Sequence, residues 1–308
     1  MLERIQKSAW IGITGILITL TTLAGCTDLE GSWEPLNLVD YEWPREYYNA
    51  VWGASETDIF VAGSGPTILR YDGTDWEVME HPSSHTLNSL WGWSGNHVYA
   101  VGERGTILFF DGREWLQLES GTQVRLYEVI GFGPQEVFAV GAGGTVLQYD
   151  GTSWRAMDSP VEHSVNSIWG TSADNFYIAT MGGMIYRYDG RTWHEELNVN
   201  PPFYRIWGLS PSNIYAIGSA GVMYRFDGEE WVNTFSDTDK ALYGIWGSGP
   251  NLLYAIGVDG TITKWNGRFW QVQPNITTEN FSDAWGIRNR MVLVGGYGTI
   301  LLRRPGEI

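Results

Sequence analysis

The amino-acid sequence predicts an all-β fold, a seven-bladed β-propeller of four-stranded blades whose last blade is closed by an N-terminal strand. Three observations support this prediction: a repeat of 38 or 39 residues, four short strand-like segments in each repeat, and a seventh repeat divided between the two ends of the chain. The repeat begins with Trp-Gly or its substitute, at Trp52, Trp91, Ile130, Trp169, Trp207, Trp246 and Trp285. A period this regular indicates a repeat architecture.

The second repeat shows the four segments most clearly, and we label them strands A, B, C and D. They span residues 87–92, 97–101, 106–110 and 114–118. Each is short, rich in aliphatic and aromatic residues, and bounded by turn-forming residues, as is typical of β-strands. Strand B is apolar almost throughout, which predicts that neighbouring blades cover both of its faces.

A second landmark, Asp-Gly or Asn-Gly followed by Trp, falls between strands C and D. The dipeptide starts at Asp72, Asp111, Asp150, Asp189, Asp227 and Asn266. Asp, Asn and Gly tolerate left-handed backbone, so this is a hairpin turn. The sequence has 17 tryptophans, and those at the two landmark positions recur with the repeat, so we interpret them as packing within the blades. Trp265 takes the aromatic position that Tyr71 holds in the first repeat, so after the first 25 residues only Trp43 and Trp93 fall outside the pattern.

The seventh repeat lacks its own strand D. The D-strand Trp follows the first landmark by 24 residues in most repeats, and counting 24 from Trp285 gives position 309, one beyond the last residue. The segment 31–36, GSWEPL, resembles the D strand at 151–156, GTSWRA, and nothing before it supplies strands A, B and C. This arrangement predicts a ring closed by pairing of the two ends of the chain, with no free sheet edge.

Residues 1–25 precede this ring and read as a secretory signal, with Arg4 and Lys7 before an apolar stretch. Because the sequence Leu-Ala-Gly-Cys ends at Cys26, the segment resembles a bacterial lipoprotein signal, and Cys26 is the expected lipidation site. Residues 26–30 then form a short lipidated tether. Thr27, in place of Asp, favours sorting to the outer membrane of the cell envelope. An uncleaved transmembrane anchor and an ordinary cleaved signal are the alternatives.

Net charge and composition limit the classes of partner that this protein is expected to bind. Removing residues 1–25 takes away Glu3, Arg4 and Lys7, a net charge of +1, so the net charge of −16 becomes −17. This excess argues against nucleic acid and against an anionic membrane surface, which leaves the N-terminal lipid as the expected membrane contact. We expect residues 31–308 to form one domain and the protein to be monomeric. Cys26 is the only cysteine, so no intramolecular disulfide is possible.

The D to A loops vary most among the repeats, and in this strand order they share a face with the B to C loops. Variation within a repeat array is typical of sites where function is grafted. Trp43 is the first binding candidate, because it lies in the longest D to A loop with Tyr41, Tyr47 and several acidic residues. Packing of Trp43 over the ring closure is the alternative.

The third position of strand A provides a second group of binding candidates, Glu128, Arg205 and Asp283. Other repeats have Ala, Ser or Gly there, so these charges depart from the pattern. They would project near the mouth of the central channel; a structural ion pair is the alternative. We expect no catalytic residues, no metal and no cofactor. There is no phosphate-loop ending and no Gly-x-Ser-x-Gly motif, and we interpret His85 and His163 as surface residues rather than metal ligands.

The residues of the repeat also carry a family resemblance. The run Gly102 to Leu108, followed by Asp111-Gly112 and Trp115, resembles the BNR or Asp-box repeats of sialidase-type propellers, especially the photosystem II assembly-factor type. The resemblance implies a propeller over residues 31–308 and implies no particular activity. We therefore expect a lipid-anchored, non-catalytic module that binds envelope proteins or assists their assembly. The alternative is a propeller that binds or cleaves glycans.

Overall fold

A computed structural model describes residues 33–35, 46–288 and 290–303. These residues form seven four-stranded antiparallel sheets, and in six of them the strands follow one another in the order A, B, C, D. Strand A of each blade lies against strand A of the next, and the A strands of blades 7 and 1 are also in contact. The ring is therefore closed around a central channel. The predicted seven-bladed β-propeller is confirmed.

The strand bounds follow the repeat closely. Blade 1 contains Tyr48–Ser55, Asp58–Gly63, Ile68–Tyr71 and Trp76–Met79. Blade 2 contains Leu87–Ser94, His97–Gly102, Ile107–Phe110 and Trp115–Leu118. Blade 3 contains Leu126–Gly133, Glu136–Gly141, Val146–Tyr149 and Trp154–Ala156. Blade 4 contains Val165–Ser172, Asn175–Thr180, Met184–Tyr188 and Trp193–Asn198.

Blade 5 contains Phe203–Ser210, Asn213–Gly218, Met223–Phe226 and Trp231–Asn233. Blade 6 contains Leu242–Gly249, Leu252–Gly257, Ile262–Trp265 and Trp270–Val272. Blade 7 contains Phe281–Ile287, Arg290–Gly295, Ile300–Arg303 and, from the other end of the chain, Trp33–Pro35. Short 3₁₀ turns connect strands B and C at Glu103–Gly105, Ala142–Gly144, Ser219–Gly221, Val258–Gly260 and Gly296–Gly298.

The predicted closure is present in blade 7. Trp33 pairs with Arg303 and Glu34 with Leu302, in an antiparallel ladder along the last strand of the chain. The guanidinium of Arg303 lies 5.9 Å from the Trp33 ring and 5.1 Å from the ring of Tyr254 in blade 6. The N-terminal strand therefore completes blade 7 and also packs against its neighbour.

Packing between blades explains the repeated Trp-Gly pair. A Cβ on Gly92 would lie 2.5 Å from Cη2 of Trp52 in the preceding blade, and a Cβ on Gly53 would lie 2.5 Å from Cη2 of Trp285. The tryptophan of one blade therefore covers the glycine of the next, and only glycine leaves room for it. Interiors packed at such close range tolerate no added methyl group without a shift.

The D-strand tryptophans also pack between blades. Trp115 meets Phe60 edge-on, with centroids 6.3 Å apart, and Trp154 meets Tyr99 in the same way at 6.1 Å. In both pairs the second ring belongs to strand B of the preceding blade. Perpendicular aromatic contacts of this kind add to the apolar area that the rings bury. The periodic tryptophans are thus part of the packing, as predicted.

The Asp-Gly and Asn-Gly turns connect strands C and D in blades 1 to 6. Oδ1 of Asp111 accepts the backbone N–H of Arg113 at 2.8 Å and that of Glu114 at 3.0 Å, and Asn266 makes the same two bonds in blade 6. Gly112, the second residue of the turn, has φ +95°. These hydrogen bonds lower the pKa of Asp111. The repeated aspartates therefore stabilise separate turns.

The B to C and D to A loops share one face, which we call the top face. The first residue after strand B donates its N–H to the residue before strand A, as in Glu103 to Thr86 at 2.9 Å and Val258 to Ala241 at 3.0 Å. The same bond occurs in all seven blades.

No helix in the described part of the chain is long and apolar enough to cross a membrane.

Candidate functional site

The top face has a depression over the central channel. It is lined mainly by the second residue of strand A from each blade, and its volume is about 360 Å³. We call these residues the channel mouth: Asn49, Asn88, Tyr127, Asn166, Tyr204, Tyr243 and Ser282. Met181 and Arg205 also line it.

A β-bulge places these side chains. The pairing of strands A and B shifts by one residue at the second position in every blade, as between Leu126 and Glu128 in blade 3. A bulge leaves one residue unpaired and redirects its side chain. Tyr127 and its equivalents are these extra residues, and as a result they line the mouth while the first residue of each strand is buried.

The asparagines of the mouth link neighbouring blades. Nδ2 of Asn49 donates to the carbonyl of Leu87 at 3.0 Å, and Asn88 and Asn166 make the same bond to the next blade. Each of these amides therefore ties the start of one inner strand to that of the next.

Three tyrosines also line the mouth: Tyr204 and Tyr243 stand side by side, and Tyr127 belongs to the blade between those of Asn88 and Asn166. The rings of Tyr204 and Tyr243 lie 5.3 Å apart at an angle of 42°. Burial raises the pKa of the Tyr243 hydroxyl, and the neighbouring Tyr204 adds to the rise. Around Tyr127 the guanidinium of Arg125 lies 5.8 Å from the ring. Tyrosine offers a flat apolar face with a polar end, a combination enriched at binding interfaces.

The three charged residues predicted at the third position meet below the mouth, and we call them the charged triad. Nη1 of Arg205 lies 2.8 Å from Oε1 of Glu128, and Nη2 lies 2.8 Å from Oδ1 of Asp283. The side chains of Glu128 and Asp283 are about nine-tenths buried, whereas 23% of the Arg205 side chain is exposed. Arg205 thus forms the floor of the mouth and connects blade 5 with blades 3 and 7.

The remaining carboxylate oxygens of the triad bind backbone groups of further blades. Ile168 of blade 4 donates its N–H to Oε2 of Glu128 at 2.7 Å, and Val51 of blade 1 donates to Oδ2 of Asp283 at 3.1 Å. Ser89 and Ser167 accept the equivalent N–H groups elsewhere in the ring. The third position is therefore a bridge between blades, made by serine or by a carboxylate.

Burial and charge oppose each other in the triad. Burial raises the pKa of Glu128 and of Asp283, and the Arg205 charge counteracts that rise only in part. Burial alone would lower the pKa of Arg205, but the two carboxylates raise it. The triad has one excess carboxylate, and both of its carboxylates are already paired with Arg205.

Of the other predicted binding residues, Tyr41, Trp43 and Cys26 lie outside the described residues. Tyr47 is described and is 47% exposed, with its ring 5.5 Å from that of Tyr297. The neighbouring Tyr297 hydroxyl raises the pKa of Tyr47, and the charge of Glu279 adds to the rise. Tyr47 precedes Asn49 of the mouth by two residues, so the two Cα atoms are at most about 7 Å apart.

The described loops of the top face carry more acidic than basic side chains. The acids are Glu46, Glu80, Glu103, Glu119, Asp158, Glu162, Asp237, Asp239, Asp259 and Glu279, and the bases are Arg104, Arg125 and Lys240. Two of the bases are already paired, Arg125 with Glu103 and Lys240 with Asp259. A negative surface of this kind attracts cationic groups and repels anionic ones. In the described residues, no three His, Cys, Asp or Glu side chains converge as a metal site would require.

The sequence predicted binding residues at the third position of strand A and none at the second. The signal was present, because the second residue is Asn, Tyr or Ser in every repeat while both flanking positions include buried residues. A strict two-residue alternation would place neighbouring residues on opposite faces. The bulge breaks this alternation, so the second and third positions both reach the channel.

These features define a class of protein: a closed seven-bladed propeller with a polar and aromatic mouth on its loop-bearing face. The chain matches no protein-family model, and no curated protein sequence matches it significantly. Solved structures with the same fold include YCF48 bound to D1 peptide, with a TM-score of 0.73 and 16% identity over 89% of this chain and 97% of that chain.

Two further solved structures are similar to the same extent. YCF48 from Cyanidioschyzon merolae has a TM-score of 0.73 and 13% identity over 90% of this chain and 100% of its own. The WD40 propeller domain of Doa1 has a TM-score of 0.73 and 13% identity over 89% and 97%. The expected similarity to the photosystem II assembly-factor type is thereby confirmed for the fold. Sequence identities this low show a shared fold and nothing further.

Proposed function

We propose that this protein is a lipid-anchored β-propeller of the bacterial cell envelope, at the outer membrane, which binds protein partners through its top face and has no catalytic role of its own. The observation that carries the proposal is the channel mouth. It combines tyrosine rings with amide groups in a depression of about 360 Å³ that is open to solvent. Such a surface can hold an extended peptide by ring contacts and hydrogen bonds.

Two further points support a protein partner. A solved propeller of the same fold, YCF48, binds a D1 peptide. The charged triad supplies no free acid or base at the mouth, because both carboxylates of Glu128 and Asp283 are held by Arg205 and by backbone N–H groups. The site can therefore recognise a partner without carrying out general acid-base chemistry, which needs a positioned group that can release or accept a proton.

The N-terminal sequence supports the anchor. Leu23-Ala24-Gly25-Cys26 provides a peptidase site followed by the only thiol of the chain. Residues 27–32 separate Cys26 from the first strand, so the anchored propeller would stay close to the bilayer. A partner in or near the membrane is therefore the expected one.

Glycan binding is the second candidate, and the tyrosine rings favour it. Tyr204 and Tyr243 stand side by side at the mouth, and sugar rings commonly stack on such aromatic faces. Glycan cleavage receives less support, because glycosidases need two carboxyl groups free to act on the same bond. In the triad the two carboxylates are separated by Arg205 and paired with it.

The test combines a pull-down with a glycan array. The full chain and its Tyr204→Ala/Tyr243→Ala variant are solubilised with the envelope, and co-purifying proteins are identified. We expect the double substitution to reduce partner recovery at least about tenfold, because central aromatic residues dominate interface energies. Trp93→Ala is the matched control, since Trp93 is 58% exposed at the opposite end of strand A. Binding to glycans without any protein partner would favour the second candidate.

A further inference from the structure

One exposed aromatic pair lies beside the channel mouth, where blade 7 meets blade 1. Tyr297 is 61% exposed and Tyr47 is 47% exposed. Their ring centroids are 5.5 Å apart, with 49° between the planes. Exposed large apolar side chains that cluster in this way are typical of interaction sites, whereas single ones are ordinary.

Tyr297 occupies a turn position that has left-handed backbone in five of the blades. Tyr297 has φ 51° and ψ 36°, in the left-handed region that bulky residues rarely adopt. At the equivalent place in the other B to C turns the residue is Arg104, Gly143, Ala220 or Asp259. Glycine or alanine is therefore sufficient at this position, and the turn forms without the tyrosine ring.

A carboxylate flanks the pair. A Cβ on Gly296 would lie 3.2 Å from Oε2 of Glu279 and 3.2 Å from Cε1 of Tyr47, so the carboxylate and the ring border the same space. Among the described residues, no lysine or arginine lies within ion-pair distance of Glu279.

We propose that Tyr47, Tyr297 and Glu279, together called the Tyr-Glu site, bind a lysine or arginine side chain of the protein partner. The inference rests on the proposed function and specifies the chemistry of its partner. Tyrosine faces attract cations through the ring quadrupole, and the nearby carboxylate adds a direct charge interaction. The acidic excess of the top-face loops favours the approach of a basic segment. The Tyr-Glu site would hold the charged side chain of this basic segment while the neighbouring residues of the segment cross the channel mouth.

The test uses three short fluorescent peptides that differ only in carrying Lys, Gln or Glu at the same positions. Binding to the detergent-solubilised full chain is measured by anisotropy. We expect the Lys peptide to bind most tightly and the Glu peptide least, and the preference to shrink at high salt because exposed charges are screened. Equal binding of the Lys and Gln peptides, or no binding of the Lys peptide, overturns the inference.

Two variants locate the effect. Tyr297→Gly should weaken binding of the Lys peptide roughly two- to fivefold, the range expected for an exposed cation-π contact, while the melting temperature stays equal or rises. Glu279→Gln, which keeps the side-chain shape, should also weaken it. Ala220→Gly is the matched control, because it changes the equivalent turn of blade 5 without removing a ring.

Wild-type affinity in Tyr297→Gly would also overturn the inference. The pull-down separates this failure from failure of the proposed function. If partners still co-purify and their recovery does not change with these substitutions, only the proposed role of the Tyr-Glu site is wrong.

Discussion

Trp33 and Arg303 face each other across the ladder that closes the ring, 270 positions apart in sequence. The indole and the guanidinium are also in contact range, at 5.9 Å, and the Trp33 ring meets Tyr254 of blade 6 edge-on at 6.2 Å. One short strand therefore joins the two ends of the chain and covers part of two blades.

The first prediction concerns this closure. Trp33→Ala should lower the free energy of unfolding by about 2 to 4 kcal/mol, slightly less than for a fully buried tryptophan, because the ring is partly exposed. Chemical denaturation followed by intrinsic fluorescence measures the change. Leu116→Ala, on the outer strand of blade 2 and 40% exposed, is the control and should cost about 1 kcal/mol or less.

A truncation tests the same closure more severely. Removing residues 27–38 would expose strand C of blade 7 and promote pairing between molecules. Appending 31–37 after Ile308, in a chain that begins near Asp40, should restore a stable monomer. A truncated chain that stays monomeric with an unchanged melting temperature would contradict the closure.

The second prediction concerns the charged triad. Arg205→Met leaves the carboxylates of Glu128 and Asp283 buried without their cation, which should cost about 3 to 5 kcal/mol at neutral pH. Burial raises the pKa of both carboxyls and the Arg205 charge counteracts that rise, so without Arg205 both pKa values rise further and the variant loses more stability than the wild type as the pH rises through them.

The stability deficit of Arg205→Met should therefore shrink as the pH falls from 7 to 5. Thermal unfolding across this range measures it. Arg155→Met is the control, because Arg155 pairs with Asp150 on the surface and keeps 73% of its side chain exposed. A deficit that does not depend on pH would mean that the lost stability comes from packing of the arginine stem.

The third prediction concerns the contact between Trp52 and Gly92. Gly92→Ala should destabilise the protein by about 1 to 3 kcal/mol, because the new methyl group would overlap the indole of the preceding blade. Gly249→Ala is the control: Gly249 lies in strand A of blade 6, two positions beyond the equivalent of Gly92, and a Cβ there would meet nothing within 4 Å. The two variants should differ clearly in denaturant midpoint. Equal midpoints would show that the blades adjust freely around the tryptophan.

The fourth prediction concerns the anchor. Cys26→Ser should release the protein from membrane fractions or leave its signal uncleaved, because the thiol that accepts the lipid is gone. Membrane fractionation and mass measurement of the N-terminus test this. A wild-type protein that is soluble and carries no acyl group would contradict the lipoprotein assignment and leave the propeller unaffected.

Much of the fold could be predicted because its determinants are local. An Asp-Gly turn needs only its own side chain and the next few N–H groups, as the bonds of Asp111 show. The strand lengths follow from alternation within a few residues. Even the closure was predictable, since a D strand missing after Trp285 and a spare one at Trp33 can be counted along the sequence.

What only the tertiary structure decided is how the seven repeats meet at the axis. Arg205 reaches Glu128 and Asp283 on blades to either side, a contact that links positions 77 and 78 residues away. The sequence presented these three as candidates for binding or for an ion pair, and the ring geometry joins them as a brace below the mouth.

The tertiary structure also decided where the second residue of strand A lies. Only the pairing of strands A and B shows that Tyr204 and Tyr243 turn toward the channel. The repeat therefore determined the blades, because turns and strands form from neighbouring residues. The channel mouth depended on the closed ring, because its side chains come from every blade.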